Sequence, residues 1–137
     1  MKKLNNKGFS LVELIIVIAI MVILVAVLSP VFTKYVERGR KSTDIQSASE
    51  IATAVQTALV DPFNTATPVS GKFDATYITN YKVDSVSVAP TVKSKDNTGN
   101  TGKVFYVKIS GNNIEVYAGE SDTCPMVFPN PATPYNN

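Results

Sequence analysis

The chain has 137 residues, enough for about one small domain, and its 13 basic and 11 acidic side chains give a formal net charge of +2. It has no histidine and one cysteine, Cys124, which removes the commonest general base, the commonest zinc ligand and any internal disulfide framework. The basic residues form no face interleaved with aromatic side chains, so we predict no nucleic-acid partner. Cys124 is expected to be a half-buried free thiol, with pairing between chains as the alternative.

Residues 1–8, MKKLNNKG, form a short basic leader in front of a long apolar run. The stretch from 14 to 33 is uncharged and rich in Leu, Ile, Val and Ala. A helix of this length, rising about 1.5 Å per residue, spans the roughly 30 Å hydrocarbon core of a bilayer. An ordinary signal peptide has a shorter apolar stretch followed by a small-residue cleavage site, and neither feature is present. We therefore predict a membrane segment over about 9–33, with any cleavage in front of it.

Charge does not fix the topology of this segment. Basic residues lie on both sides of it, at 2–7 and at 34–41, in nearly equal numbers. The tendency of Lys and Arg to lie on the cytoplasmic side therefore favours neither orientation clearly.

The sequence NKGFSLVELIIVIAIM, residues 6–21, resembles the N-terminus of type IV prepilins and of the related pseudopilins of type II secretion and competence systems. The pattern is a basic leader ending in glycine, then Phe, a small polar residue, two aliphatic residues, Glu and a long apolar run. The resemblance implies that a membrane-embedded prepilin peptidase removes residues 1–8 by cutting between Gly8 and Phe9, and then methylates the amine of Phe9. A residue without Cβ at position 8 lets an enzyme approach the backbone closely.

Glu13 lies near the start of the apolar run, where a carboxylate in mid-membrane costs roughly 2.5–3.5 kcal/mol on insertion scales. One interpretation is that the side chain, only about 6 Å from the helix end, reaches the headgroups at little cost. The resemblance implies the other, in which Glu13 pairs with the Phe9 amine of a neighbouring subunit during assembly. With the flanking pattern in place, we favour the second.

One helix is predicted over about 9–60, since Asp61-Pro62 is a sound stop signal. Pro30 is expected to kink it near the outer end of the apolar run. Beyond Lys34 the pattern becomes amphipathic, and one face carries apolar residues three or four apart: Ile45, Ala48, Ala52, Val55 and Leu59. Asp44 and other polar residues are predicted to lie off that face, and the basic cluster 38–41 is expected to be solvated.

Residues 61–137 are predicted to form a small head of three or four antiparallel strands packed on the helix. Candidate strands are 83–89, 103–109 and 114–118, with SGNN at 110–113 as a hairpin turn. The segment 94–103 is predicted to be a polar loop. The proline-rich tail, 124–137, is expected to be an irregular strap across the sheet or a disordered end.

Calcium binding is the open alternative for two loops, because some pseudopilins hold calcium near the C-terminus. The segment 95–102 lacks the EF-hand alternation, and Glu120 with Asp122 supplies only two acids, so plain turns are favoured. Many Gram-negative pilins tie the tail with a disulfide, which one cysteine cannot form.

The sequence thus predicts an α+β, pilin-like fold comprising a leader (1–8), a long helix (9–60) and a sheet head with a proline-rich tail (61–137). The predicted function is a structural pilin subunit that polymerises through its N-terminal helix into a surface filament for adhesion, motility or related functions. It would sit in the cytoplasmic membrane as a single-pass protein before assembly. The expected partners are copies of itself, the prepilin peptidase and the pilus assembly machinery.

Three alternatives compete with this interpretation. A minor pilin, or a pseudopilin of a secretion or DNA-uptake machine, shares the same N-terminal pattern. A monomeric membrane-anchored binding protein would need neither the Gly8–Phe9 junction nor Glu13. An enzyme is least favoured, because no nucleophile motif or metal-ligand cluster is evident, and no catalytic residue, cofactor or metal is predicted.

Overall fold

The computed structural model describes residues 8–83, 85–97 and 99–136. The leader residues 1–7 lie outside the described residues. The chain divides into two compact units, one ending at Val36 and the other beginning at Glu37. Helix α1, Leu11–Val60, contributes its first half to one unit and its second half to the other.

The first half of α1 is apolar on all sides. Every residue from Gly8 to Tyr35 is exposed, and the α-helix continues across Pro30. A helix that is hydrophobic all round requires an apolar environment, such as a bilayer or a bundle of other helices.

The second half of α1 packs one face into the head. Ala48, Ala52 and Val55 are buried, and Ile45 and Leu59 pack partly buried against the same core. The predicted apolar face is therefore confirmed. Ile51 also lies in this core, fully buried.

The sheet has four antiparallel strands in the order β1-β2-β3-β4. Strand β1 spans Gly71–Phe73 and is followed by the short helix α2, Ala75–Asn80. The remaining strands are β2, Phe105–Ser110, β3, Asn113–Tyr117, and β4, Met126–Phe128. The α+β fold predicted from the sequence is confirmed.

The β2–β3 hairpin forms where the sequence predicts it. Ser110 pairs with Asn113, leaving Gly111 and Asn112 as the two-residue loop. Gly111 has φ 62°, which suits the first central position of a type II′ turn. The hairpin brings Val107 and Val116 face to face, and both are fully buried against α1 with Phe73, Phe105 and Val127. Burying each such side chain stabilises the head by about 1.5–3 kcal/mol.

The predicted strand at 83–89 is wrong. Its described residues form no strand, because Val86 N–H donates to the carbonyl of Val83 in a turn and Val88 is 79% exposed. Lys82, just before this segment, has φ 48°, which turns the chain out of extended conformation. Among the residues that the structure describes, the alternating valines therefore have no partner strand.

Three short elements are absent from the sequence prediction. These are β1, α2 and β4, of which β4 lies within the predicted strap. Helix α2 begins with an N-cap, because the Asp74 carboxylate accepts the Tyr77 N–H at 2.8 Å. The rest of the tail, 129–136, is the irregular strap, and the polar loop around 94–103 is confirmed as turns and bends in its described residues.

Candidate functional site

The segment that carries the pilin-like pattern begins outside the helix. Gly8, Phe9 and Ser10 are non-helical and exposed, and the Phe9 side chain is 92% exposed. A Cβ added at Gly8 would meet nothing within 4 Å. Nothing in the described part of this chain therefore requires glycine at position 8, and any requirement must come from a partner that contacts the backbone there.

Glu13 makes a local contact at the start of α1. Its Oε2 accepts the Ser10 N–H at 2.8 Å, and the Ser10 Oγ accepts the Val12 N–H at 3.4 Å. Ser and Glu three residues apart form a capping box, in which two otherwise unpaired N–H groups of the first turn find acceptors. This role is not among the expectations for Glu13 given above, although the pattern Ser10-x-x-Glu13 signals it.

The apolar run after Glu13 is long enough to cross a membrane. The described residues contain one such helix, α1, with an apolar window of mean hydropathy 3.4, none of which is buried within the chain. Pro30 lies inside the helix, where its missing N–H leaves the carbonyl four residues earlier without its helical partner. The kink remains a prediction.

The head contains a second arrangement, which we call the polar clamp: Glu37, Lys41 and Asp44 of α1, the loop 93–97, and Tyr135. Asp44 is fully buried. Its carboxylate accepts the N–H of Lys93 at 2.7 Å, the N–H of Ser94 at 2.9 Å and the hydroxyl of Tyr135 at 3.1 Å. Burial raises the pKa of Asp44, against the opposing effect of these hydrogen bonds.

Glu37 binds the next part of the same loop. Its Oε1 accepts the Ser94 hydroxyl at 2.6 Å and the N–H groups of Lys95 and Asp96 at 2.6 and 3.0 Å. Arg40 donates to Oε2 at 3.3 Å. Burial alone would raise the pKa of Glu37, but the hydrogen bonds together outweigh it and lower that pKa.

Lys41 and Asn97 complete the clamp. Lys41 Nζ lies 2.7 Å from Asp96 Oδ2, and Asn97 Nδ2 donates to the Ala118 carbonyl at 2.7 Å and to the Tyr135 hydroxyl at 3.3 Å. The clamp thus joins α1, the loop, the end of β3 and the tail. The bonds that Glu37 and Asp44 accept are charge-assisted, and such bonds are about twice as strong as neutral ones.

Two expectations from the sequence are corrected here. Asp44 lies on the buried face of α1, because its carboxylate receives three hydrogen bonds that replace water. The basic cluster 38–41 is not wholly solvated, since Lys41 is buried and pairs with Asp96, and Arg40 is half-buried and pairs with Glu37. The spacing of Glu37, Lys41, Asp44 and Ala48, in steps of four, three and four, is the signal that could have placed them on one face.

The acids considered for calcium face lysines. Glu120 lies 3.5 Å from Lys72 and 3.7 Å from Lys103, and Asp122 lies 3.2 Å from Lys108. In the part of the chain that the structure describes, no group of three or more His, Cys, Asp or Glu side chains could hold a metal ion. Cys124 is a half-buried free thiol, with Sγ 3.6 Å from Asn100 Oδ1 and from Ser121 Oγ.

Comparison with known proteins bears on the same N-terminal segment. Residues 3–29 match the family model of the prokaryotic N-terminal methylation motif. Two type IV major fimbrial proteins FimA of Dichelobacter nodosus are 41% and 39% identical to the chain over 61 residues. Each match covers 44% of this chain but only 38% of the relative. No solved structure matches the chain.

A longer match reaches into the head. A fimbrial protein of Pseudomonas aeruginosa is 30% identical over 115 residues, covering 80% of this chain and 74% of the relative. Three features point to the same family: the methylation motif, the exposed apolar helix and the helix-on-sheet head. Together with these relatives, they show that the chain belongs to the type IV pilin family.

Proposed function

We propose that the chain is processed between Gly8 and Phe9 and then polymerises through α1 into a filament that displays the head at the cell surface. The observation that carries this proposal is the first half of α1, whose apolar side chains are exposed on every side. That surface is stable only in a bilayer or among other apolar helices. In the proposed sequence of events, this apolar surface lies in the cytoplasmic membrane before assembly and in the filament core afterwards.

Glu13 supports a core built from copies of the same helix. A carboxylate carried into a bundle of apolar helices loses its hydration, and a cation placed beside it offsets part of that loss. Processing would create such a cation, the methylated amine of Phe9, four residues from Glu13 in sequence. The amine of one subunit beside the Glu13 of the next would specify their relative position, and the role is structural rather than enzymatic.

The proposed partners follow from these steps. A prepilin peptidase would contact the exposed backbone at Gly8 and Phe9, which is accessible because the helix begins only at Leu11. An assembly machinery would extract the processed chain from the membrane. The head, whose core is closed by the second half of α1, would face outward for adhesion, motility or a related surface function.

The deciding experiment is the mass of the N-terminal peptide in protein sheared from native cells. We expect a peptide beginning at methylated Phe9 in the sheared fraction. The same processed peptide found only in membranes would favour a minor pilin or a pseudopilin. A peptide beginning at Met1 or Lys2 and retained in membranes would overturn the proposal in favour of a plain anchored protein.

A further inference from the structure

Strand β4 is one edge of the sheet. It comes last in the strand order and pairs with β3 through Val116–Phe128 and Tyr117–Met126, with an irregularity between the two pairs. An edge strand presents backbone N–H and C=O groups that can template pairing with another chain. Folded proteins cover such edges or make them unsuitable for pairing.

The tail folds back on this edge. The Met126 carbonyl accepts the Ala132 N–H at 2.8 Å, which occupies a backbone acceptor of β4. Residues 129, 131 and 134 are prolines. Since proline lacks an N–H, the tail cannot itself extend the sheet as a regular fifth strand. It occupies part of the edge without creating a new one of the same kind.

The side chain of Tyr135, near the end of the tail, anchors it in the head. Tyr135 is 3% exposed and belongs to the core cluster of the head. Its hydroxyl donates to Asp44 at 3.1 Å and accepts from Asn97 at 3.3 Å. Burial of the ring, and after it the proximity of Asp44, raise the pKa of Tyr135, so the hydroxyl keeps the proton that this contact needs.

We propose that the tail, residues 129–136, is an edge guard locked by Tyr135 on Asp44, and that the partner it excludes is β4 of a second copy of this chain. An antiparallel edge is self-complementary, because a two-fold axis places the same strand of two copies side by side. Copies held in one bilayer by α1 would meet often, which makes an open β4 edge a hazard. The inference concerns the unassembled chain and does not depend on filament formation.

The test uses the full chain in detergent micelles and compares Tyr135→Phe with Tyr117→Phe. Tyr117 is a control for the loss of a tyrosine hydroxyl, because it is also buried and its hydroxyl donates at 2.8 Å to Glu115, which is not part of the polar clamp. Two quantities are measured: hydrogen exchange of the backbone amides of 126–132, and the yield of dimer after crosslinking with an amine-reactive reagent. Tyr135→Phe is expected to speed the exchange about tenfold, consistent with the loss of one hydrogen bond to a charged group.

Dimer yield should rise severalfold for the same variant and stay at the wild-type level for Tyr117→Phe. Adding Met126→Glu to Tyr135→Phe should return the dimer yield to the wild-type level while exchange stays fast, because a charged side chain on an edge strand opposes pairing and glutamate adds no amine for the crosslinker. Fast exchange without extra dimer would overturn the guard function. Unchanged exchange would overturn the lock.

If Tyr135→Phe unfolds the head, as judged by near-ultraviolet circular dichroism, Ala132→Pro replaces it. That change removes the N–H that reaches Met126 and leaves the Tyr135 side chain unaltered. It should raise the dimer yield in the same way, and a yield equal to wild type would contradict the proposal.

Discussion

Ser10 and Glu13 give the first turn of α1 a cap made from its own side chains. The contact between Glu13 and the Ser10 N–H is 2.8 Å long, and capping interactions typically stabilise a helix by about 0.5–2 kcal/mol. In the proposed filament the same carboxylate would face an amine of another copy. Glu13 would then have two separable roles, one that needs only an acceptor oxygen and one that needs a negative charge.

Glu13→Gln should separate these roles. Glutamine keeps an acceptor for the Ser10 N–H, since a capping box accepts Glu or Gln, but it carries no charge. We expect processing and membrane insertion to be retained and the yield of sheared filaments to fall at least tenfold. Quantitative immunoblots of sheared and membrane fractions would measure this. Glu13→Asp, which retains the charge, is the control, and a wild-type filament yield from Glu13→Gln would reduce Glu13 to a cap.

Glu37 is expected to stabilise the head in a pH-dependent manner. Its pKa is lowered in the folded chain, so its contribution is present above the ordinary value of 4.5 and is lost as the pH falls through the lower, folded value. Glu37→Gln should therefore reduce the free energy of unfolding by about 1–2 kcal/mol at pH 7, since the hydrogen bonds that a charged carboxylate accepts would go to a neutral amide oxygen. Below pH 4.5 the difference should shrink.

Urea unfolding of the detergent-solubilised chain at several pH values would measure this difference. Glu50→Gln is the matched control, because Glu50 is exposed and its Oε1 accepts from Gln46 on the same helix. A Glu37→Gln deficit that is constant from pH 7 to pH 3 would show that the charge of Glu37 is not what stabilises the loop.

At the scale of single elements, the sequence predicts those whose secondary structure is determined by residues within the element itself. It does not predict those that depend on a partner distant in sequence. Helix α1 and the β2–β3 hairpin were predicted because their periodicity and turn residues lie within the segments themselves. The segment 83–89 failed because alternating valines make a strand only when a partner is available. Strands β1 and β4, three residues each, carry too short a pattern to be recognised without their neighbours.

Gly119, which follows β3, supplies a prediction at this scale. It has φ 148°, and a Cβ there would meet Cys124 Sγ and Asn100 Oδ1 at distances that real contacts do not show. Gly119→Ala should therefore destabilise the head by about 3 kcal/mol, combining backbone strain with overpacking. Gly111→Ala is the control, because Gly111 also has a positive φ but open space around it, and should cost about 1–2 kcal/mol.

Thermal unfolding followed by circular dichroism would compare the two glycine variants. Equal losses would mean that the side chains of Cys124 and Asn100 move aside without cost.

At the scale of the whole molecule, the chain combines an apolar helical segment, which requires a non-aqueous environment, with a head that buries its own core. The apolar half of α1 was predicted from composition alone, because twenty uncharged residues in sequence leave few other interpretations. The polar clamp was not predicted, since Asp44 and Ser94 are fifty residues apart in sequence. Only the folded chain shows that a carboxylate on the core face has partners.

Membrane association of the whole chain should depend on the apolar half of α1. Ile20→Arg places a charge in mid-helix at a cost of roughly 2.5–3.5 kcal/mol on insertion scales, so a larger share of the unassembled chain should be extracted by alkaline carbonate. Ile20→Leu is the control and should stay in the membrane pellet. Equal extraction of both variants would contradict a spanning role for this helix.

The way the clamp binds the loop 93–97 has a consequence for sequence variation. Glu37 and Asp44 accept four successive main-chain N–H groups, from Lys93 to Asp96. Every amino acid except proline offers that N–H, so the side chains of Lys93 and Lys95 can change without loss of these bonds. Natural variants of this pilin are therefore free to diversify the outward chemistry of the loop, while the two acids of α1 hold its path constant.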